Sequence, residues 1–233
     1  MPDATPRPVP PARIAGPLRT WYDLHEALGH EARALADLAP SVTADTVAAY
    51  DARLALFRTE LRNHSEVEDV IMFPALLAAG GRVPEAFFAD HRTEQLAVYA
   101  LSCAVLRARA HGDAAAFAAL AEPAVALRDS LVGHLDAEDA DILSQVSDLF
   151  DDTAQATLLQ TIITSMPADP HLQPWIAAAL SPDHLEARLR NLAASLSHDA
   201  LVGVLTQIYT GVDSATWDVV ATRTPELAAL VAT

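Results

Sequence analysis

One cysteine, Cys103, occurs in 233 residues. This excludes an internal disulfide framework and any zinc site built from several thiolates, and it fits a reducing compartment. Glycine is scarce at eight residues, and Ala and Leu dominate, which argues against a barrel or sandwich and for helices. No apolar run approaches the ~20 residues that a bilayer span requires, and the first residues lack the hydrophobic core of a signal peptide. Basic residues are few: 15 Lys and Arg against 31 Asp and Glu leave a formal net charge of -16. Such a surface repels nucleic-acid phosphates and anionic membranes alike. The expectation is a soluble cytoplasmic protein with neither a nucleic-acid nor a membrane partner.

What the chain does have is a short phrase that occurs twice, His64-Ser-Glu-Val-Glu68-Asp69 and His134-Leu-Asp-Ala-Glu138-Asp139. Both copies lie in strongly helical stretches. Four residues turn a helix about 40° beyond a full revolution, so His and Glu share one face. That face is otherwise apolar. Phe57, Leu61, His64, Glu68, Ile71 and Ala75 follow the helical period around the first copy. Leu127, Leu131, His134, Glu138, Ile142 and Leu149 do so around the second. An ionised carboxylate on a buried stripe is costly unless it is paired or bound to a metal, and these stripes supply no Lys or Arg.

Taken in order, residues 1–14 carry five prolines and read as an extended, disordered tail. A first helix is expected from near Pro17 to before Pro40, with Trp21, His25, Leu28, Ala32 and Leu35 facing inward and His30 outward among Asp23, Glu26, Arg33 and Asp37. A second runs from about Ala44 to Ala79 and carries Pro74, which should kink it or open one backbone bond. A third starts at Pro84 and aligns Phe87, Phe88, His91, Gln95, Val98 and Ser102 before His111-Gly112 ends it. A fourth spans Asp113 to Phe150 with a break expected at Pro123. Four long helices joined by short turns predict an all-α, antiparallel four-helix bundle over residues 15–150. Residues 151–233 change to shorter, well-punctuated helices and read as an appended C-terminal helical subdomain.

The inward ligand types are then His25, His64, Glu68, His91, His134 and Glu138. Four imidazoles and two carboxylates suit a pair of iron ions, or of manganese, better than one structural zinc. Bridging carboxylates would hold two metals ~3.5–4 Å apart. Either Glu138 or Asp139 can bridge, Glu138 having the better phase; Asp69 and Asp139 otherwise suit partners for histidine N–H groups. His30, His111, His171, His184 and His198 read as solvated surface residues. A ferritin-like E-x-x-H pairing, H-E-x-x-H, G-x-S-x-G, a P-loop and a dinucleotide fingerprint are all missing.

This arrangement resembles the hemerythrin-like (HHE cation-binding) family of diiron four-helix bundles. The resemblance covers about residues 18–149 and rests on His25, on His64-x-x-x-Glu68-Asp69 followed by Phe73-Pro74, on His91, and on His134-x-x-x-Glu138. Oxygen carriers of that family place a second histidine four residues after the third-helix histidine, where this chain has Gln95, an alternative ligand weaker than imidazole that would leave one iron an exchangeable position. They also use an aspartate five residues after the fourth-helix histidine, where this chain keeps Asp139. The resemblance implies two iron ions that bind or activate O₂, peroxide or NO, with an oxidoreductase acting on a small-molecule substrate as the first reading. A sensing or storage module for O₂, NO or iron is the second, and a metal-free structural bundle the third.

Overall fold

The computed structural model describes residues 16–166 and 169–231. The Pro-rich tail expected over 1–14 lies outside them. Among the described residues the chain is helical throughout, with no strand, and no helix is long and apolar enough to cross a membrane. By its contacts the chain divides into two compact units, and the division falls within the helices α1 (Arg19–Leu38) and α6 (Ala121–Leu149).

The first unit is built around residues 28–142. It contains the second half of α1, a 3-10 turn at Ala39–Ser41, α2 (Val47–Val67), a π-turn (Glu68–Met72), α3 (Phe73–Ala78), α4 (Glu85–His111), α5 (Ala114–Ala118) and most of α6. Leu28, Leu35, Leu54, Phe57, Leu61, Phe73, Leu76, Leu101, Leu127 and Leu131 fill its interior with essentially no exposure. Tyr50 Oη donates to the Leu35 carbonyl at 3.0 Å, and Arg53 grips Glu31 with both arms of its guanidinium. Gly112 closes α4 at φ 68, a left-handed conformation that glycine adopts without strain.

Where a kink or one opened backbone bond was expected at Pro74, a π-turn precedes the proline. Proline brings no N–H and crowds the carbonyl four residues back. In the residue just before it, Phe73 N–H reaches five residues back to the Glu68 carbonyl. That wider turn inserts one extra residue and advances the apolar stripe by one. Met72, Phe73 and Leu76 are buried, whereas Ile71 and Ala75, expected inward from an unbroken α period, are only half-buried. The break expected at Pro123 also moves. The chain turns at Ala119 and Leu120, and Pro123 sits in the first turn of α6, where its missing N–H costs nothing.

The second unit joins residues 16–27 to residues 143–231. It contains the start of α1, the end of α6, α7 (Asp152–Ser165), α8 (Leu172–Ala179), α9 (Pro182–Ser195), α10 (His198–Gly211), α11 (Ser214–Arg223) and α12 (Pro225–Ala228). Asp151, Ser181 and Asp213 cap α7, α9 and α11 by accepting N–H bonds from Ala154, His184 and Thr216. Leu18, Trp21, Leu185, Leu189, Leu205, Ile208 and Val220 lie in its core. Two expectations are corrected here. Asp23 and Glu26, assigned to a wet face, are buried: Asp23 accepts from Arg188 at 3.0 Å, and Glu26 accepts from Tyr22 Oη at 2.8 Å. His184, taken for a surface residue, is also buried and stands edge-on to the Tyr22 ring. For Asp23 and His184 a partner distant in sequence supplies what the local pattern could not reveal, whereas the Glu26 partner lies one turn away on the same helix.

Candidate metal centre

α2 and the π-turn that follows it supply His64 and Glu68, α4 supplies His91, and α6 supplies His134 and Glu138. All five are at most 4 % exposed. His64 Nε2 and His91 Nε2 each lie 3.2 Å from the same atom, Glu68 Oε2. On the facing helix His134 Nε2 lies 3.2 Å from Glu138 Oε1. His64, Glu68 and Glu138 present donor atoms within 4.8 Å of one another, and so do His91, His134 and Glu138. Two adjacent donor groups therefore share one carboxylate.

The outer nitrogens are held as well. His91 Nδ1 meets Asp69 Oδ1 at 2.9 Å, and His134 Nδ1 meets Glu94 Oε1 at 2.6 Å. Phe73 stacks on His91 with nearly parallel rings, and Phe87 stacks on His134. These apolar rings screen the donors from water and fix the imidazole planes. The π-turn gives Glu68 and Asp69 their adjacent tasks, since Glu68 opens it and Asp69 follows; such turns often interrupt helices at functional sites.

Charge in this cluster is one-sided. Burial opposes protonation of His134, but hydrogen bonds to Glu138 and Glu94 outweigh it and push the imidazole up to about 11. Burial likewise opposes charge on His91, and the Glu68 bond and carboxylate field win, raising it. The carboxylates thus create a buried demand for positive charge, which protons can satisfy and a metal cation would satisfy in their place.

The sequence profile of the hemerythrin HHE cation binding domain matches residues 16–146, more than half of the chain. The chain belongs to the hemerythrin HHE cation-binding family. No curated protein and no solved structure matches it. The donor set fits the cation that the family's description names. Imidazole and carboxylate are ligands for iron, manganese or zinc, and here they are buried together.

His25 is buried on the inward stripe of α1, edge-on to Trp21 with ring centres 6.3 Å apart. Asp139 is half-buried beside Glu138 on α6. Gln95 stands where oxygen carriers of this hemerythrin family have their second third-helix histidine. It is exposed and lines an open cavity of 280 Å³ with Arg58, Leu61 and Tyr99. The buried line of α4 is Phe87, His91, Glu94, Val98, Leu101 and Val105. With about 100° per residue its centre falls to the Glu94 side of His91, leaving Gln95 roughly 80° away. Glu94, with no exposed surface and in contact with His134 Nδ1, is a member of this cluster that the sequence motifs did not single out. Its spacing of three from His91 was the available signal.

Proposed function

We propose that this is a non-heme diiron protein that binds or activates dioxygen, peroxide or nitric oxide at a carboxylate-bridged site, working as an oxidoreductase. His64, Glu68, His91, His134 and Glu138 would hold the two iron ions, Glu68 and Glu138 as the shared carboxylates. His25 is carried as a further ligand on its helical phase and its burial, and manganese fits the same donors. When bound, the two irons supply electrons and exchangeable coordination positions for a small oxidant.

The observation that carries the reading is the sharing: Glu138 belongs to both donor groups, and one Glu68 oxygen faces His64 and His91 equally. A single structural zinc needs four donors and no shared carboxylate. The protein's own side chains then do three things. Asp69 accepts from His91 Nδ1, leaving Nε2 as the donor atom. Phe73 and Phe87 keep water from the imidazoles. Glu68, Glu94 and Glu138 concentrate negative charge, which stabilises the ferric over the ferrous state and so favours giving electrons away over reversible carriage.

The test is metal analysis of anaerobically purified protein together with its optical spectrum before and after air. Two irons per chain and rapid, irreversible oxidation support the proposal. One tightly bound zinc per chain removes the diiron assignment. Two irons with a slow response to air that reverses under vacuum would instead make the protein a sensing or storage module.

A further inference from the structure

His134 and Glu94 come from different helices, 40 positions apart, and both are buried where they meet. An ionised carboxylate has only acceptor lone pairs, so the hydrogen in this 2.6 Å bond belongs to His134 Nδ1. The imidazole is then left with Nε2 as its free donor atom, on the edge that faces Glu138. Phe87, stacked on the same ring, limits its rotation. Position and tautomer are both set from outside the H-x-x-x-E motif.

The corresponding partner of His91 is weaker. The Asp69 side chain is 38 % exposed, so water competes for its oxygens and screens its charge, whereas the Glu94 side chain has no exposure at all. Glu94 Oε2 is buried and accepts no hydrogen bond. A buried carboxylate oxygen left this way is costly, a cost that positive charge one imidazole away would offset.

Resting on the diiron reading above, we infer that Glu94 is a positioning residue that orients His134 and strengthens its Nε2 as a metal donor, making the two metal positions unequal. The metal on the His134 side is held by an imidazole backed by a fully buried carboxylate. On the other side the backing carboxylate is partly in water, so the His134 side binds more tightly.

The experiment compares wild type with Glu94→Gln, Glu94→Ala and Asp69→Asn, each as the full chain. Iron affinity is read by competition with a chelator, and the site is read separately by the visible bands of cobalt(II) loaded in place of iron. The melting temperature of each metal-free variant reports on the fold. Glu94→Gln preserves shape but removes the charge and the fixed acceptor. It is expected to weaken one of the two metals 10–100-fold and to shift the cobalt bands, with the metal-free melting temperature close to wild type. Glu94→Ala should weaken the same metal at least as much, and Asp69→Asn should have a smaller effect. Wild-type affinity and unchanged cobalt bands in Glu94→Gln would overturn the inference. So would equal weakening of both metals with a large fall in metal-free melting temperature, which marks a residue of the fold. A wild-type chain that takes up no iron or cobalt ends the diiron reading and this inference with it, and that result is distinct from the other two.

Discussion

His91 on α4 and Glu68 at the start of the π-turn meet at 3.2 Å, and the same Glu68 oxygen stands 3.2 Å from His64. One carboxylate atom thus answers to imidazoles from two elements. Removing it should damage both donor groups, while removing one imidazole damages one. Glu68→Ala and Glu138→Ala are expected to drop bound iron below one per chain. Asp69→Ala, which removes the partner of the outer nitrogen of His91, should cost ~10-fold in affinity, the low end for such a partner, without emptying the site. Iron per chain after desalting, measured for each variant, decides this; full occupancy in Glu68→Ala would contradict it.

A second expectation concerns Gln95. Because that side chain is exposed and lies off the buried line of α4, Gln95→His should change neither iron content nor the optical spectrum. A new or longer-lived coloured azide adduct in Gln95→His would mean that position 95 reaches the metal after all.

The repeated H-x-x-x-E-D and the apolar stripes around it made the helical class and the family legible from sequence, because both depend only on spacing along single helices. The boundaries at Pro84 and Gly112 were legible for the same local reason. What escaped depends on pairing across the chain. Glu94 is one residue from the position that the family pattern singled out; its spacing of three from His91 points to it, and its bond to His134, 40 residues away, identifies it. Asp23 looked like a solvated acid because Arg188 lies 165 residues further on. The π-turn was hidden for another reason: proline announces a disturbance but not how the backbone resolves it, and the one-residue shift from Ile71 to Met72 follows only from the resolution.

That shift can be measured. Leu76 is buried and Ala75 half-buried, and Met72 is buried while Ile71 is only partly so. Leu76→Ala and Met72→Ala should each lower stability by about 2–5 kcal/mol, the usual range for removing a buried Leu or Met side chain. Ile71→Ala should lose clearly less. Denaturant midpoints with unchanged slopes would report this, and a larger loss at Ile71 than at Met72 would mean that an unbroken α-helix runs through Glu68–Met72.

In the second unit the Asp23–Arg188 pair is almost fully buried. Burial raises the Asp23 carboxyl, and the attraction and hydrogen bond of Arg188 do not fully compensate. Arg188 Nη2 also donates to Gln173 at 2.7 Å. Arg188→Ala leaves a buried carboxylate without its cation and should cost roughly 3–5 kcal/mol. The double variant Asp23→Leu with Arg188→Leu removes both charges and should recover most of that loss. A double variant less stable than Arg188→Ala would show that the pair contributes more than charge compensation.

The last expectation is a pH dependence at the protein surface. Hydrogen bonding to Arg223, and its charge, hold the exposed Asp183 carboxyl below its ordinary value. The folded state therefore favours ionised Asp183 more than the unfolded chain does. The resulting stability is present above the unfolded carboxyl's pKa and is lost as pH falls through the lower, folded one. Asp183→Asn should lower the melting temperature slightly at pH 6, and the difference should vanish as the pH approaches 2. Both groups are solvated, so 0.5 M salt should shrink the effect at pH 6. Equal melting temperatures at pH 6 and low salt would mean that solvent screening already cancels the pair. A difference that grew on acidification would reverse the sign and exclude the Arg223 contact as its source.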